Sequence, residues 1–151
     1  MVLQQLKERQ LYAKILNYEF LLEEVGFIGH VVFEERISVD LAKIKEMSQW
    51  ESSKNTQEVR SFLGLARYYR RFVEGFSKIA MPMTALTRKN VKLEWIEKYE
   101  KSFYKLKMRL TTASVLTIPN GTKGYTIYSY LSGQGLGEVL MKHMKVIAYA
   151  S

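Results

Sequence analysis

Hydrophobic positions change their spacing several times along this chain, and each change marks a different kind of element. Residues 2–11 carry Leu3, Leu6 and Leu11 at helical spacing. From Tyr12 to Val39 the pattern shifts. The run Val25-Gly-Phe-Ile-Gly-His-Val-Val-Phe33, a polar turn at Glu34–Arg36 and then Ile37–Val39 predict a β-hairpin. Asp40 is placed to N-cap a short helix through Trp50, with Leu41, Ile44 and Met47 inward. Asn55, followed three residues later by Glu58, has the form of a capping box and opens a long helix expected to end near Gly75. Pro82 suits the first turn of a further short helix that buries Met83 and Leu86. Tyr99, Phe103, Leu106 and Leu110 repeat at i, i+4, i+7 and i+11, predicting a helix over Glu97–Thr112. After the turn at Pro119-Asn-Gly121 the period falls to two. Gly124–Ser129, Leu136–Lys142 and Lys145–Ala150 then read as a meander of three strands. With no helix following, that sheet keeps an open edge.

The helix opened by Asn55 carries the sharpest pattern. Phe62, Leu65, Tyr69, Phe72 and Phe76 lie within about 80° of arc, while Arg60, Gly64, Arg67 and Arg71 lie opposite within about 60°. A basic ridge with a glycine gap can follow a row of phosphates and admit another backbone closely. An ordinary amphipathic helix with solvated arginines fits the same spacing. Charge distribution bears on the choice. Residues 1–52 hold six basic and nine acidic groups, residues 53–92 nine against two, and residues 93–151 eight against four. A basic block interleaved with aromatics favours a polyanionic partner.

Other chemistry is poorly supplied. There is no cysteine, so disulfides and thiolate metal sites are excluded, and Asp40 is the only aspartate. Two-metal phosphoryl-transfer centres need clustered carboxylates. His30 and His143 are the only histidines and do not form a ligand pair. Glu138 reads as an exposed strand glutamate, and Gly133–Gly137 as a hairpin turn, since a strand follows it. Lys101, Lys105, Lys107 and Arg109 read as a solvated helix face. The N-terminus lacks signal-peptide order and no apolar run spans a bilayer, so the expectation is a soluble intracellular protein without a membrane partner.

Several segments resemble one family. Glu58-Val-Arg-Ser-Phe-Leu-Gly-Leu65, Tyr68-Tyr-Arg-Arg-Phe72, Phe76-Ser-Lys-Ile-Ala80, Trp95, Gly135-Leu-Gly137, Val139-Leu140 and Ala148-Tyr-Ala-Ser151 look like the Pol polyprotein of gypsy-class long-terminal-repeat retrotransposons. They correspond there to the end of the reverse transcriptase and the start of its ribonuclease H domain. The resemblance implies an α+β fold: N-terminal helix and β-hairpin, a central thumb-like helical cluster, and a truncated three-stranded antiparallel start of a ribonuclease H-like fold. It implies residues 1–39 as the end of the palm, 40–118 as a thumb and connection-like region, and 119–151 as truncated ribonuclease H. Phe27, Ile28, Gly29 and His30 would lie on the hairpin that positions the primer. Arg60, Gly64, Arg67, Tyr68 and Arg71 would face an RNA–DNA hybrid or duplex.

The family's activities are RNA-directed DNA polymerase and ribonuclease H, both using Mg²⁺. Its polymerase Tyr-x-Asp-Asp turn would lie before Met1. Tyr130 stands where the first ribonuclease H aspartate belongs, in Tyr130-Leu-Ser132 instead of Asp-Ala-Ser. The resemblance therefore implies a fragment with no catalytic residues, no metal site and no cofactor. Asn17–Phe20, Arg36, Ser52, Ser53 and Ser114 depart from the family pattern as well. Three roles follow: residual hybrid or duplex binding, an interaction relic that self-associates through uncovered apolar surface, or a translated fragment without a role.

Overall fold

The computed structural model describes residues 2–12, 22–52, 55–88, 91, 94–132 and 135–151. Asn17–Phe20, Ser53, and Gly133 and Gln134 of the expected hairpin turn lie outside the described residues. The fold is α+β, as the periodicities predict. Helix α1 (Val2–Glu8) is followed by strands β1 (Glu24–Phe27), β2 (His30–Phe33) and β3 (Arg36–Val39). Helices α2 (Leu41–Ser48), α3 (Thr56–Tyr68), α4 (Phe76–Leu86) and α5 (Glu97–Thr111) come next, and β4 (Leu116–Thr117) pairs antiparallel with β3. Strands β5 (Tyr125–Ser132), β6 (Gly135–Lys142) and β7 (Lys145–Ala150) form a second antiparallel sheet.

Local chemistry sets the helix starts. Asp40 Oδ1 accepts the Ala42 amide at 2.7 Å, and Asn55 Oδ1 accepts the Glu58 amide at 2.9 Å while its Nδ2 reaches the Glu58 carboxylate at 2.8 Å. Two side-chain groups thus serve orphan donors at the N-termini of α2 and α3. Phe62, Tyr69, Phe103, Leu106 and Leu110 are almost wholly buried, and the core they form joins α2, α3, α4 and α5 to β3 and β4. Phe62 meets Phe103 at 4.7 Å between ring centroids and Trp50 at 5.8 Å.

Several expectations need correction. Helix α1 stops at Glu8, Gln10 takes a left-handed φ of 53°, and Leu11 is exposed. The apolar run over 25–33 is not one strand. It folds back at Ile28-Gly29, whose φ values of 46° and 73° form a tight hairpin turn, so the predicted hairpin is a three-strand meander extended by β4. Leu41 is 79% exposed, because capping by Asp40 sets α2 with Met47, and only partly Ile44, toward the core. Helix α3 ends at Tyr68; a 3₁₀ turn over Arg70–Phe72 follows, and Gly75 at φ 63° starts α4. Pro82 consequently lies inside α4, not in its first turn, although Met83 and Leu86 are buried as expected. Lys107 is half-buried and donates to the Trp50 carbonyl at 2.7 Å, so it does not belong to a purely solvated face.

The second sheet has the three strands expected, but β5 runs past Ser129 to Ser132, and burial along β6 and β7 does not alternate. It rests on the rest of the molecule through β7, which lies against β4 and the 3₁₀ turn, with Ile147 buried at the seam. Burial pushes the Tyr149 phenol above its ordinary range, with Glu74 adding to the rise and Arg109 opposing it. The β6–β7 turn is His143-Met144, with φ values of 47° and 64°. Left-handed backbone costs an L-residue about 1 kcal/mol, and the Met144 side chain is 80% exposed, so it recovers little by packing. Met144→Gly removes that cost but adds unfolded-chain entropy, so the net stabilisation is expected to be about 0.5 kcal/mol, read as a rise of about two degrees in thermal midpoint.

Candidate nucleic-acid interface

Burying Val59, Phe62 and Ala66 turns the opposite side of α3 to solvent, and that side carries Arg60, Gly64 and Arg67. Helix α4 runs alongside. Arg60, Leu63, Gly64 and Arg67 of α3 and Phe76, Ala80, Thr84 and Thr87 of the α4 segment enclose a hollow of about 270 Å³. It continues past Arg67 into a second hollow of about 420 Å³, bounded by Arg70, Ser77, Met81, Ala85 and Arg88. Among the described residues no Asp or Glu lines either hollow, and Ser151 also borders the second. Arg60 Nη2 donates to the Thr87 carbonyl at 3.0 Å, where the end of α4 presents the negative pole of its dipole. That bond fixes the guanidinium at the groove's rim.

Gly64 is the unusual member. A Cβ placed there would meet nothing within 4 Å. A mid-helix glycine costs about 1 kcal/mol relative to alanine, and no contact within the described chain demands it. Arg71, by contrast, leaves the predicted ridge. The break after Tyr68 turns it into a separate cleft of about 1140 Å³, shared with Arg67, Tyr68 and Arg70 and walled by Val32, Ile37, Leu136 and Ile147, with Glu138 also present. Arg70 and Arg88 are groove residues that helical spacing did not single out, because only the packing of α4 on α3 brings them there.

The structure brings the hairpin tip to the end of α3. Tyr68 Oη donates to the Ile28 carbonyl at 2.9 Å, and Tyr69 Oη donates to Gly29 at 3.1 Å. The Asp40 amide donates to the same Gly29 carbonyl at 3.0 Å. A Cβ at Gly29 would strike the Tyr69 hydroxyl, so glycine is required both by this contact and by its positive φ. Burial pushes the Tyr69 phenol upward, with smaller contributions from Tyr68, Asp40 and Glu46. His30 packs among Tyr68, Tyr69 and Phe72 at 5.3–5.7 Å between rings. Its Nδ1 lies 3.0 Å from the Ile28 carbonyl, and its buried Nε2 has no partner among the described residues. Phe27 and Ile28 are about two-thirds exposed at the tip (63% and 66%).

Tyr130 lies on β5, half-exposed, with its ring across Gly137 of β6, where a Cβ would fall on the phenol. The sole aspartate, Asp40, is engaged as a helix cap. Among the described residues no three of His, Asp and Glu stand close enough to hold a metal ion, and no helix is long and apolar enough to cross a membrane.

Residues 95–151 match the RNase H-like domain found in reverse transcriptase. An uncharacterized mitochondrial protein of Arabidopsis thaliana is 41% identical over 122 residues, covering 80% of this chain and 77% of that protein. The retrovirus-related Pol polyprotein from transposon 297 of Drosophila melanogaster is 30% identical over 152 residues; the match takes in 100% of this chain and 14% of the polyprotein. In fold, the chain is similar to the foamy viral protease-reverse transcriptase solved with double-stranded DNA (TM-score 0.83, 22% identity, 99% of this chain and 27% of that one). The foamy viral protease-reverse transcriptase solved with an RNA/DNA hybrid, as distinct from the dRH form of the double-stranded DNA complex, gives a TM-score of 0.78 at 21% identity, covering 91% and 19%. The chain thus belongs to the family of the Arabidopsis mitochondrial protein, and it is related to the reverse transcriptase–RNase H region of transposon and retroviral Pol polyproteins.

Proposed function

We propose that this chain binds RNA–DNA hybrid or duplex nucleic acid without reading its sequence, through the groove edged by Arg60, Gly64, Arg67 and Arg88. The observation that carries this reading is Gly64: a helix-weakening residue with open space above it, set between two arginines. An incoming sugar–phosphate backbone explains both the gap and the flanking cations. That no Asp or Glu among the described residues lines the groove supports the same ligand, as does the fact that the foamy viral neighbours were solved with double-stranded DNA and RNA/DNA hybrid.

On this reading the chain is gypsy-class and intracellular, with residues 1–39, 40–118 and 119–151 derived from palm, thumb and ribonuclease H. The tip Phe27–His30, held by Tyr68 and Tyr69, would abut the primer strand. We take the chain as it stands to be non-catalytic. Tyr130 offers a neutral phenol where a Mg²⁺-binding carboxylate is wanted, and its ring is spread over Gly137. The residues do not fit the metal, and no chemical step is assigned to them.

The test is an anisotropy titration of a labelled RNA–DNA hybrid across a salt series. Three or so phosphates at the groove give a slope of log affinity against log salt near −2.7, at about 0.9 per contact. Gly64→Ala provides the second arm: it is expected to stabilise the fold by up to about 1 kcal/mol and yet weaken binding. Salt-independent affinity, or tighter binding by Gly64→Ala, overturns the proposal.

A further inference from the structure

Strand β5 is the free edge of the second sheet, whose order is β5-β6-β7. Edges are ordinarily protected by charge, proline, bulges or shortness. Strand β1, the free edge of the first sheet, is only four residues long and starts at Glu24. Strand β5 has eight residues, Tyr-Thr-Ile-Tyr-Ser-Tyr-Leu-Ser, with neither a charge nor a proline. Both of its faces are at least half exposed. Ile127 and Leu131 are 65% and 82% exposed on one face, and Tyr128 and Tyr130 are 50% and 51% exposed on the other. An uncharged strand has no cation to place against a phosphate and no charge to pair with a charged peptide. In a chain of net charge +8 it is also a place where two copies can meet without opposing cations.

The order of residues identifies the occupant. Around Ser129 the strand is quasi-palindromic: tyrosine at 128 and 130, aliphatic side chains at 127 and 131. We infer that β5 pairs antiparallel with β5 of a second copy of this chain, about a two-fold axis normal to the sheet at Ser129. Such an axis keeps each face on its own side. Tyr128 then stands opposite Tyr130 of the second copy, and Ile127 opposite its Leu131, each pairing occurring twice. Aromatic and aliphatic cross-strand pairs of this kind stabilise a ladder. Centring on Tyr128 instead would set Ile127 against Ser129 and Thr126 against Tyr130, mixing polar with apolar on both faces, so the register is specified. The product is a closed dimer with a six-stranded sheet, which leaves no free β5 edge for further growth. The inference is independent of the arginine groove.

Because the chain has no cysteine, single thiols report the register directly. In the intact chain, Ser129→Cys is expected to form a disulfide-linked dimer under mild oxidation at least about tenfold faster than Ser61→Cys, on exposed α3, or Tyr128→Cys, since directly opposed strand residues lie within disulfide reach at high effective concentration. Sedimentation velocity of the parent should show the mass doubling with concentration and then levelling. Ile127→Lys with Leu131→Lys should abolish the dimer while leaving the circular dichroism spectrum unchanged, since both side chains are largely exposed. A parent that stays monomeric throughout, grows past the dimer, or cross-links fastest through Tyr128→Cys overturns the inference.

Discussion

Reversing Arg60, Arg67 and Arg88 to glutamate together is expected to lower affinity for an RNA–DNA hybrid by at least about a hundredfold near 0.1 M salt. It should also flatten the salt dependence by nearly three counterions. The three guanidinium groups edge one continuous pair of hollows along α3 and α4. Replacing each by a carboxylate removes an attraction and adds a repulsion to the same phosphate row. Arg71→Glu supplies the geometric control. Helical extrapolation puts it on the ridge, but the chain turns after Tyr68 and delivers it to the cleft between the two sheets. Its reversal should therefore cost severalfold less than that of Arg67, which borders both regions. Lys101→Glu, on an exposed face of α5 and paired with Glu97 at 2.6 Å, should leave binding within about twofold of the parent. Fold stability should drop by less than about 1.5 kcal/mol in the triple variant, because among the described residues Arg60 alone of the three gives up an internal bond, the one to Thr87. A triple variant that binds as the parent does would remove the groove from consideration.

How far the sequence discloses this molecule depends on whether an element is fixed locally. Helix α5 falls where its period puts it, since it buries a regular face; strands β6 and β7 also form where expected, although burial along them does not alternate. Asp40 and Asn55 cap as read, because capping needs only three neighbouring residues. The turn at Ile28-Gly29 was hidden inside an apolar run. An isoleucine at φ 46° is a poor turn former, and its conformation is held by hydroxyls arriving from Tyr68 and Tyr69, forty residues away. Strand β4 has two residues and exists only through its pairing with β3. The stripe through Phe72 and Phe76 predicted a helix to Gly75; both are buried, yet the helix stops at Tyr68. A 3₁₀ turn and a left-handed glycine keep the aromatics inward while rotating the arginines out of line. The same rotation explains the site. Arg60, Gly64 and Arg67 were legible as one helical face, whereas Arg70 and Arg88 depend on how α4 folds back.

Phe62→Ala is expected to destabilise the chain by about 3–5 kcal/mol, the range for emptying an aromatic core position that cannot collapse. The ring is fully buried. It packs edge-on to Trp50 beyond the end of α2 and at 4.7 Å from Phe103 on α5, so one side chain ties three helical segments together. Lys107 reinforces the same junction by donating to the Trp50 carbonyl and lying 5.7 Å from the Phe103 ring centre. Domains of this size are stable by only about 5–15 kcal/mol, so the variant should show a much lower urea midpoint. Hybrid binding should then fall with the folded fraction and not beyond it, since Phe62 lies on the side of α3 away from Arg60 and Arg67. The salt slope of the molecules that remain folded should match the parent. That contrast with the arginine reversals separates what holds α3 in place from what its outer face does, and a Phe62→Ala chain with an unchanged urea midpoint would mean that the junction of α2, α3 and α5 is not the centre of the core.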